Sequence, residues 1–174
     1  KGNGIEIYNG SGTSYEDHGL LEDTTYYYQA WSYCNWTYNN LNYNRWSTQS
    51  TINSIKTNSI SSIDLINPSI NGTNSMMLQP TIQIWANDTD GDTLDVYWYE
   101  NESGSWILRN TNNSISANTT AAYSFTQFDQ YNTTYYFKIA INDSKNNISQ
   151  WFYFKTNNIP NGSLVSPSPN GTNS

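Results

Sequence analysis

Lys56 to Ser75, KTNSISSIDLINPSINGTNS, returns at Lys155 to Ser174 as KTNNIPNGSLVSPSPNGTNS. The two stretches align without a gap at an offset of 99 (155 less 56), and twelve of the twenty positions are identical. Among the matches are Lys56, Thr57, Asn58, Pro68 and the whole run Asn71 to Ser75. A match of this length at a fixed offset marks a tandem array, in which each repeat folds as one supersecondary or domain-sized unit. A period near 100 residues suits small modules in series. The expected division is a C-terminal part of one module over 1–60, a complete module over 61–157, and a linker with the first strand of the next over 158–174. On this reading Lys1 stands in the middle of a module.

The periodicity inside the repeat is that of strands. In the complete module Pro80 to Ala86 places Ile82 and Ile84 on one face. Leu94 to Tyr99 places Leu94, Val96 and Trp98 inward and Asp95, Tyr97 and Tyr99 outward. Trp106 to Arg109, Ala121 to Thr126, Thr133 to Ile141 and Gln150 to Lys155 come next, with Tyr135, Phe137, Ile139 and Ile141 on one face. Turn residues separate these runs every 10–15 residues, and no helical period occurs. That pattern predicts an all-β fold made of antiparallel β-sandwiches. Loop 110–119 reads as long and polar. In the first stretch Ile5 and Ile7 alternate, Asn9 to Gly12 reads as a turn, Thr13 to Asp17 as a short strand, and Ser47 to Lys56 as the closing strand. Residues 36–50 read as a polar loop about ten residues longer than its counterpart in the next repeat. Pro68, Pro160, Pro167 and Pro169 stiffen the two linkers.

Leu20, Thr24 and Tyr26 precede the strand Tyr27 to Trp31, and Thr133 with Tyr135 repeats the arrangement. The stretch YNGSGTSYEDHGLLEDTTYYYQAW resembles the C′, E and F strands of fibronectin type III domains, where Leu, Thr and Tyr at this spacing form a tyrosine corner. In such a corner the ring packs in the core while its hydroxyl bonds to nearby backbone. The Pro that usually precedes the Thr is replaced by Glu22 and Asp23. The resemblance covers residues 5–57 most closely and 64–157 more loosely. Taken with the repeats, it points to archaeal or bacterial cell-surface proteins: surface layers, adhesins or filaments built of fibronectin III/immunoglobulin-like modules. What it implies for the role is structural, with copies packing sandwich to sandwich into a homopolymeric filament or sheath. The alternatives are an adhesin or carbohydrate-binding module, and a spacer in a secreted hydrolase.

Composition narrows the field. Charged residues are only 12% and net charge is −7, with five Lys and two Arg scattered along the chain. Such a chain lacks the basic footprint that phosphate backbones and anionic membranes require. No apolar run reaches the ~20 residues of a membrane-spanning helix. Aromatics at 16% distinguish it from a disordered polar chain. A single Cys34 rules out an internal disulfide, and the expectation is a buried or inert thiol.

Asparagine is the most unusual component, at 27 residues. Asn-x-Ser/Thr occurs at Asn9, Asn35, Asn71, Asn87, Asn101, Asn112, Asn118, Asn132, Asn142, Asn147, Asn161 and Asn170. With 41 Ser plus Thr, chance gives roughly six such sites, half the twelve observed. The excess, with most sites between strand-like runs, predicts covalent N-glycans and an extracellular location. The competing reading is that Asn, Ser and Thr fill turns.

Asp88, Asp90, Asp92 and Asp95 crowd eight residues. Alternating Asp on a turn can offer several oxygens to one Ca²⁺, and the run resembles the Asp-rich B–C loop of many prokaryotic immunoglobulin-like surface repeats. The competing reading is a solvated Asp-Gly turn. It is not an EF-hand, because Tyr99 stands where the bidentate Glu belongs. His18 is the sole histidine, and no nucleophile-elbow motif accompanies it. The carboxylates Glu6, Glu16, Glu22, Glu100 and Glu102 lie on expected edges and loops of small sandwiches, so catalysis is not expected. If Tyr26 and Tyr28 face a core, Tyr27, Trp31 and Tyr33 face out as an interface for another copy, a neighbouring repeat or carbohydrate. The outward set of the matching second strand, Tyr136, Lys138, Ala140 and Asn142, reads as mostly polar.

Overall fold

A computed structural model describes residues 4–161. The second copy of the linker beyond Asn161, with Asn170, Pro167 and Pro169, lies outside the described residues. The chain divides into two compact units, Lys1–Ile60 and Ser61–Ser174. Every regular element among the described residues is a strand.

Among the described residues the second unit holds eight strands: β5 (Ser62–Asn67), β6 (Thr73–Met76), β7 (Thr81–Asn87), β8 (Leu94–Glu100), β9 (Ile107–Ile115), β10 (Thr119–Ser124), β11 (Thr134–Asn142) and β12 (Asn147–Thr156). They form a three-stranded sheet β10-β7-β5 and a five-stranded sheet β6-β12-β11-β8-β9. All pairings are antiparallel except β6 with β12. Alternation decides which side of each strand is dry. Ile82, Ile84 and Ala86 from one sheet meet Leu94, Val96, Trp98, Phe137, Ile139, Ile141, Phe152 and Phe154 from the other in one cluster, nearly all fully buried. Phe125 and Phe128 close it from the segment after β10, stacked 4.6 Å apart. The expected inward sets in β7, β8 and β11 are therefore the buried ones. Trp98 carries a polar atom into this interior, and its Nε1–H donates to Asn112 Oδ1 at 2.6 Å.

Two sequence expectations change here. Residues 110–115 are not loop: they continue β9, whose pairing to β8 runs from Ile107 to Ile115 through two irregularities. A polar strand escapes a pattern search when, as here, only Ile115 at its far end packs against the core. Glu100 is not on an edge or in a loop but fully buried on β8, where Arg109 of β9 holds it through Nε and Nη2 at 3.1 and 2.6 Å. Both donors meet Oε1, while Oε2 accepts from Glu102 N at 2.5 Å; a carboxylate so buried needs such partners to offset its lost hydration.

The described residues of the first unit form four strands: β1 (Thr25–Ala30), β2 (Tyr33–Tyr38), β3 (Leu41–Trp46) and β4 (Thr51–Lys56). β1 pairs with β4 and β2 with β3, each antiparallel. The expected short strand at Thr13 to Asp17 is irregular chain, and the closing strand begins at Thr51 rather than Ser47. The expected loop over 36–50 is largely the β2–β3 hairpin. Asn39 and Asn40 turn it with φ of 50° and 61°, the left-handed pair that a two-residue hairpin turn requires. Asn tolerates that region better than most residues, which is why a turn without glycine forms.

Candidate functional site

The corner motif appears twice with one set of hydrogen bonds. Leu21 N donates to Tyr26 Oη at 2.8 Å, and Gln130 N donates to Tyr135 Oη at 2.9 Å. Thr24 N donates to Thr57 Oγ1 and Thr133 N to Thr156 Oγ1, both at 2.9 Å. Thr57 Oγ1 then donates to Leu21 O at 2.6 Å, and Thr156 Oγ1 to Gln130 O at 2.7 Å. Asp23 and Asn132 both carry positive φ, 48° and 54°. The corner residues stand 109 apart (133 less 24) and the threonines of the closing strand 99 apart (156 less 57). The ten-residue difference is the insertion that builds the β2–β3 hairpin. Burial raises the Tyr135 phenol above its ordinary value, and the bond from Gln130 N–H partly offsets this.

The eleven described sequon asparagines all reach solvent. Seven are exposed, and Asn87, Asn101, Asn112 and Asn142 are half-buried. Some amides also carry structural bonds. Asn112 receives the Trp98 indole, Asn142 Oδ1 accepts from Ser144 N at 2.8 Å, and Asn118 Nδ2 donates to Asp88 O at 3.3 Å. An N-linked amide keeps one N–H, so the last bond is compatible with a glycan.

Asp88, Asp90 and Asp92 converge, each with an oxygen within 4.8 Å of the others. Asp95 does not join them; its Oδ1 accepts from Ser114 N at 2.7 Å. Asp88 is buried and organises the turn, accepting from Asp90 N (2.9 Å), Gly91 N (3.1 Å) and Ser61 Oγ (3.1 Å). Lys145 holds Asp92 at 2.7 Å, and that bond raises the lysine above its usual range. Asp143 makes the same kind of turn after β11, accepting from the backbone of Lys145 and Asn146. These bonds account for the turn with protein atoms alone, and a Ca²⁺ would have to displace Lys145 from Asp92.

Tyr27 is 77% exposed and Tyr33 is exposed, while Trp31 is half-buried. Tyr33 lies beyond β1, at the start of β2, and its ring meets that of Trp46 of β3 at 4.7 Å, tilted by 46°. Trp36 and Tyr43 stack at 5.6 Å on the hairpin's other face. Cys34, expected buried or inert, is exposed on this hairpin, because the inserted strands have no second layer over them. His18 is 80% exposed and lies 3.9 Å from Glu16.

Reading one strand at a time missed a further aromatic surface. The outward face of the five-stranded sheet joins Tyr153 and Trp151 of β12 with Tyr136 of β11, at 5.9 and 6.4 Å from Tyr136. Beside them Lys138 Nζ stands 4.3 Å from the centre of the Tyr99 ring and 5.3 Å from that of Trp106. Tyr136 and Lys138 read as polar company on β11 alone; the register brings Tyr153, Trp151 and Tyr99 alongside them. The alternation of β12 and β8 held the signal, but only pairing shows that the rings share a patch.

No protein-family description matches this chain, and neither the curated proteins nor the solved structures searched contain a match to it.

Proposed function

We propose that the chain is a non-catalytic segment of an N-glycosylated extracellular protein, built of tandem fibronectin III/immunoglobulin-like β-sandwiches. The observation that carries this is the duplicated tyrosine corner, with matching donors and acceptors in both units. The allocation of β5, β7 and β10 to one sheet and β8, β9, β11 and β12 to the other supports the sandwich reading. Sequon asparagines that reach solvent at every described position support the glycoprotein reading. The role is structural: copies and neighbouring repeats pack sandwich to sandwich, through exposed aromatics such as Tyr27 and Tyr33, into a cell-surface filament, sheath or surface layer. Intact-mass measurement of the native protein tests the location. A segment weighing its bare 19.9 kDa would remove it.

A second reading, a carbohydrate-binding adhesin, is favoured by the patch of Tyr136, Trp151 and Tyr153. The two part on assembly: a structural subunit polymerises without added saccharide, whereas an adhesin stays monomeric and retains a polysaccharide on a column.

A further inference from the structure

The aromatic face of the five-stranded sheet begins at a sequon. β6 runs parallel to β12 with Thr73 opposite Phe154, which sets Asn71 and Gly72 against Tyr153. Tyr153 N donates to Asn71 Oδ1 at 2.9 Å, and Gly72 N donates to Tyr153 O at 2.8 Å. The Tyr153 ring lies over the sequon itself. A Cβ on Gly72 would fall 2.7 Å from Tyr153 Oη and 2.9 Å from its Cζ, and Gly72 also has φ of 83°. Only glycine at the middle position lets the ring lie there. From Tyr153, 38% exposed, the row continues through Tyr136 at 45% to Trp151 at 56%.

We propose that this row seats the protein's own N-glycan, attached at Asn71 Nδ2. The proposal rests on the glycoprotein reading above. Because Asn71 Oδ1 is fixed by the Tyr153 backbone, the amide has a set orientation at the start of the row. A pyranose has a face of C–H groups and a rim of hydroxyls. The C–H face packs on the electron-rich faces of Tyr and Trp while the rim stays in water. Covalent attachment holds the sugar at an effective concentration in the mM range, so contacts too weak to retain a free saccharide suffice. The glycan then covers a patch of a kind that otherwise invites association. The sequence repeats the attachment point as Asn170-Gly171-Thr172, with glycine again in the middle. The row is not a general property of the repeat, since Ser54 and Ile52 stand 99 residues before Tyr153 and Trp151.

The test is residue-resolved oxidation by hydroxyl radicals, read by mass spectrometry on the native glycoprotein and on Thr73→Ala, which removes the sequon. Thr73→Ser keeps both the sequon and a hydroxyl for the bond to Ile70 O. Trp85, on the outward side of the other sheet, is the internal standard. The expected result is several-fold slower oxidation of Trp151 and Tyr153 in the native protein and in Thr73→Ser than in Thr73→Ala, with Trp85 unchanged. Asn71 found occupied with equal rates in all three proteins overturns the proposal and leaves glycosylation standing. Asn71 found bare in the native protein overturns the proposal and the glycoprotein reading at this site together. Protection that persists in Thr73→Ala and fades on dilution overturns it in favour of a second copy covering the face.

Discussion

Tyr26 and Tyr135 stand at the same point of the same motif, each bonded to the backbone N–H five residues before it. Tyr135 is 4% exposed and packs against Phe128 at 4.5 Å, whereas Tyr26 is half-buried. The partner across the ladder changes likewise: Phe154 opposite Tyr135 is fully buried, and Ile55 opposite Tyr26 is 59% exposed. The corner is thus a local device. A Thr before the strand, a Tyr two residues on and a Thr at the end of the partner strand close it in both environments. Packing adds to the device in the second unit and does not create it. The units also differ beyond the corner strand: the second has a short turn at Asp143, and the first has the exposed aromatic hairpin.

Core substitution should separate the units most. Trp98→Ala empties the centre of the second unit and strands the Asn112 oxygen, so it should cost about 3–5 kcal/mol. Trp36→Ala on the exposed hairpin should stay within about 0.5 kcal/mol. Urea unfolding followed by near-ultraviolet dichroism checks both, and comparable losses would mean the hairpin is covered in solution. Next comes Arg109→Met, which leaves Glu100 buried without its cation. A loss of about 2–3 kcal/mol is expected, at the lower side of buried-pair values because the Arg109 side chain is 35% exposed. Glu100→Gln with Arg109→Met should recover part of that loss in the same assay.

The corner itself offers a sharper comparison. Tyr135→Phe should cost about 1 kcal/mol, one hydrogen bond in a dry site, and Tyr26→Phe less, because water can replace the lost partner. Equal costs would show that the corner does not depend on burial. Alkaline pH probes the same group. The folded Tyr135 phenol is raised above the unfolded value near 10, so its contribution is intact below about pH 10 and lost as pH rises through the folded value. Stability measured from pH 8 to 11 should therefore fall at the alkaline end, and Tyr135→Phe should flatten the fall. The smallest effect is expected at the acidic turn. With Lys145 already on Asp92, the melting midpoint should be the same in Ca²⁺ as in chelator, and Lys145→Ala, at an exposed pair, should barely move it. A midpoint that rises with Ca²⁺ would show an ion taking the lysine's place.

Most of the strands were legible because alternation is a property of neighbours in sequence. Ile82 and Ile84, then Leu94, Val96 and Trp98, then Tyr135, Phe137, Ile139 and Ile141 reveal their dry side without any knowledge of what covers it. The corner was legible for the same reason, its donors and acceptors lying within six residues apart from one threonine. The inserted hairpin was not, since its two faces mix Asn and Thr with Trp and Tyr, and its turn is Asn-Asn. Nor was β9, a polar strand that takes its pairing from β8.

By itself the sequence determined the repeat, the all-β character, the inward sets and the positions of the sequons, all of which depend on local order and spacing. Tertiary structure decided what lies beside what. Strand register gathered Tyr153, Tyr136 and Trp151 into one patch, set the Asn71 amide against Tyr153, and buried Glu100 beneath Arg109. Those neighbours are as much as 82 residues apart in sequence, as Asn71 and Tyr153 are. Only pairing and layering, driven by burial of the core face, bring such residues within contact range.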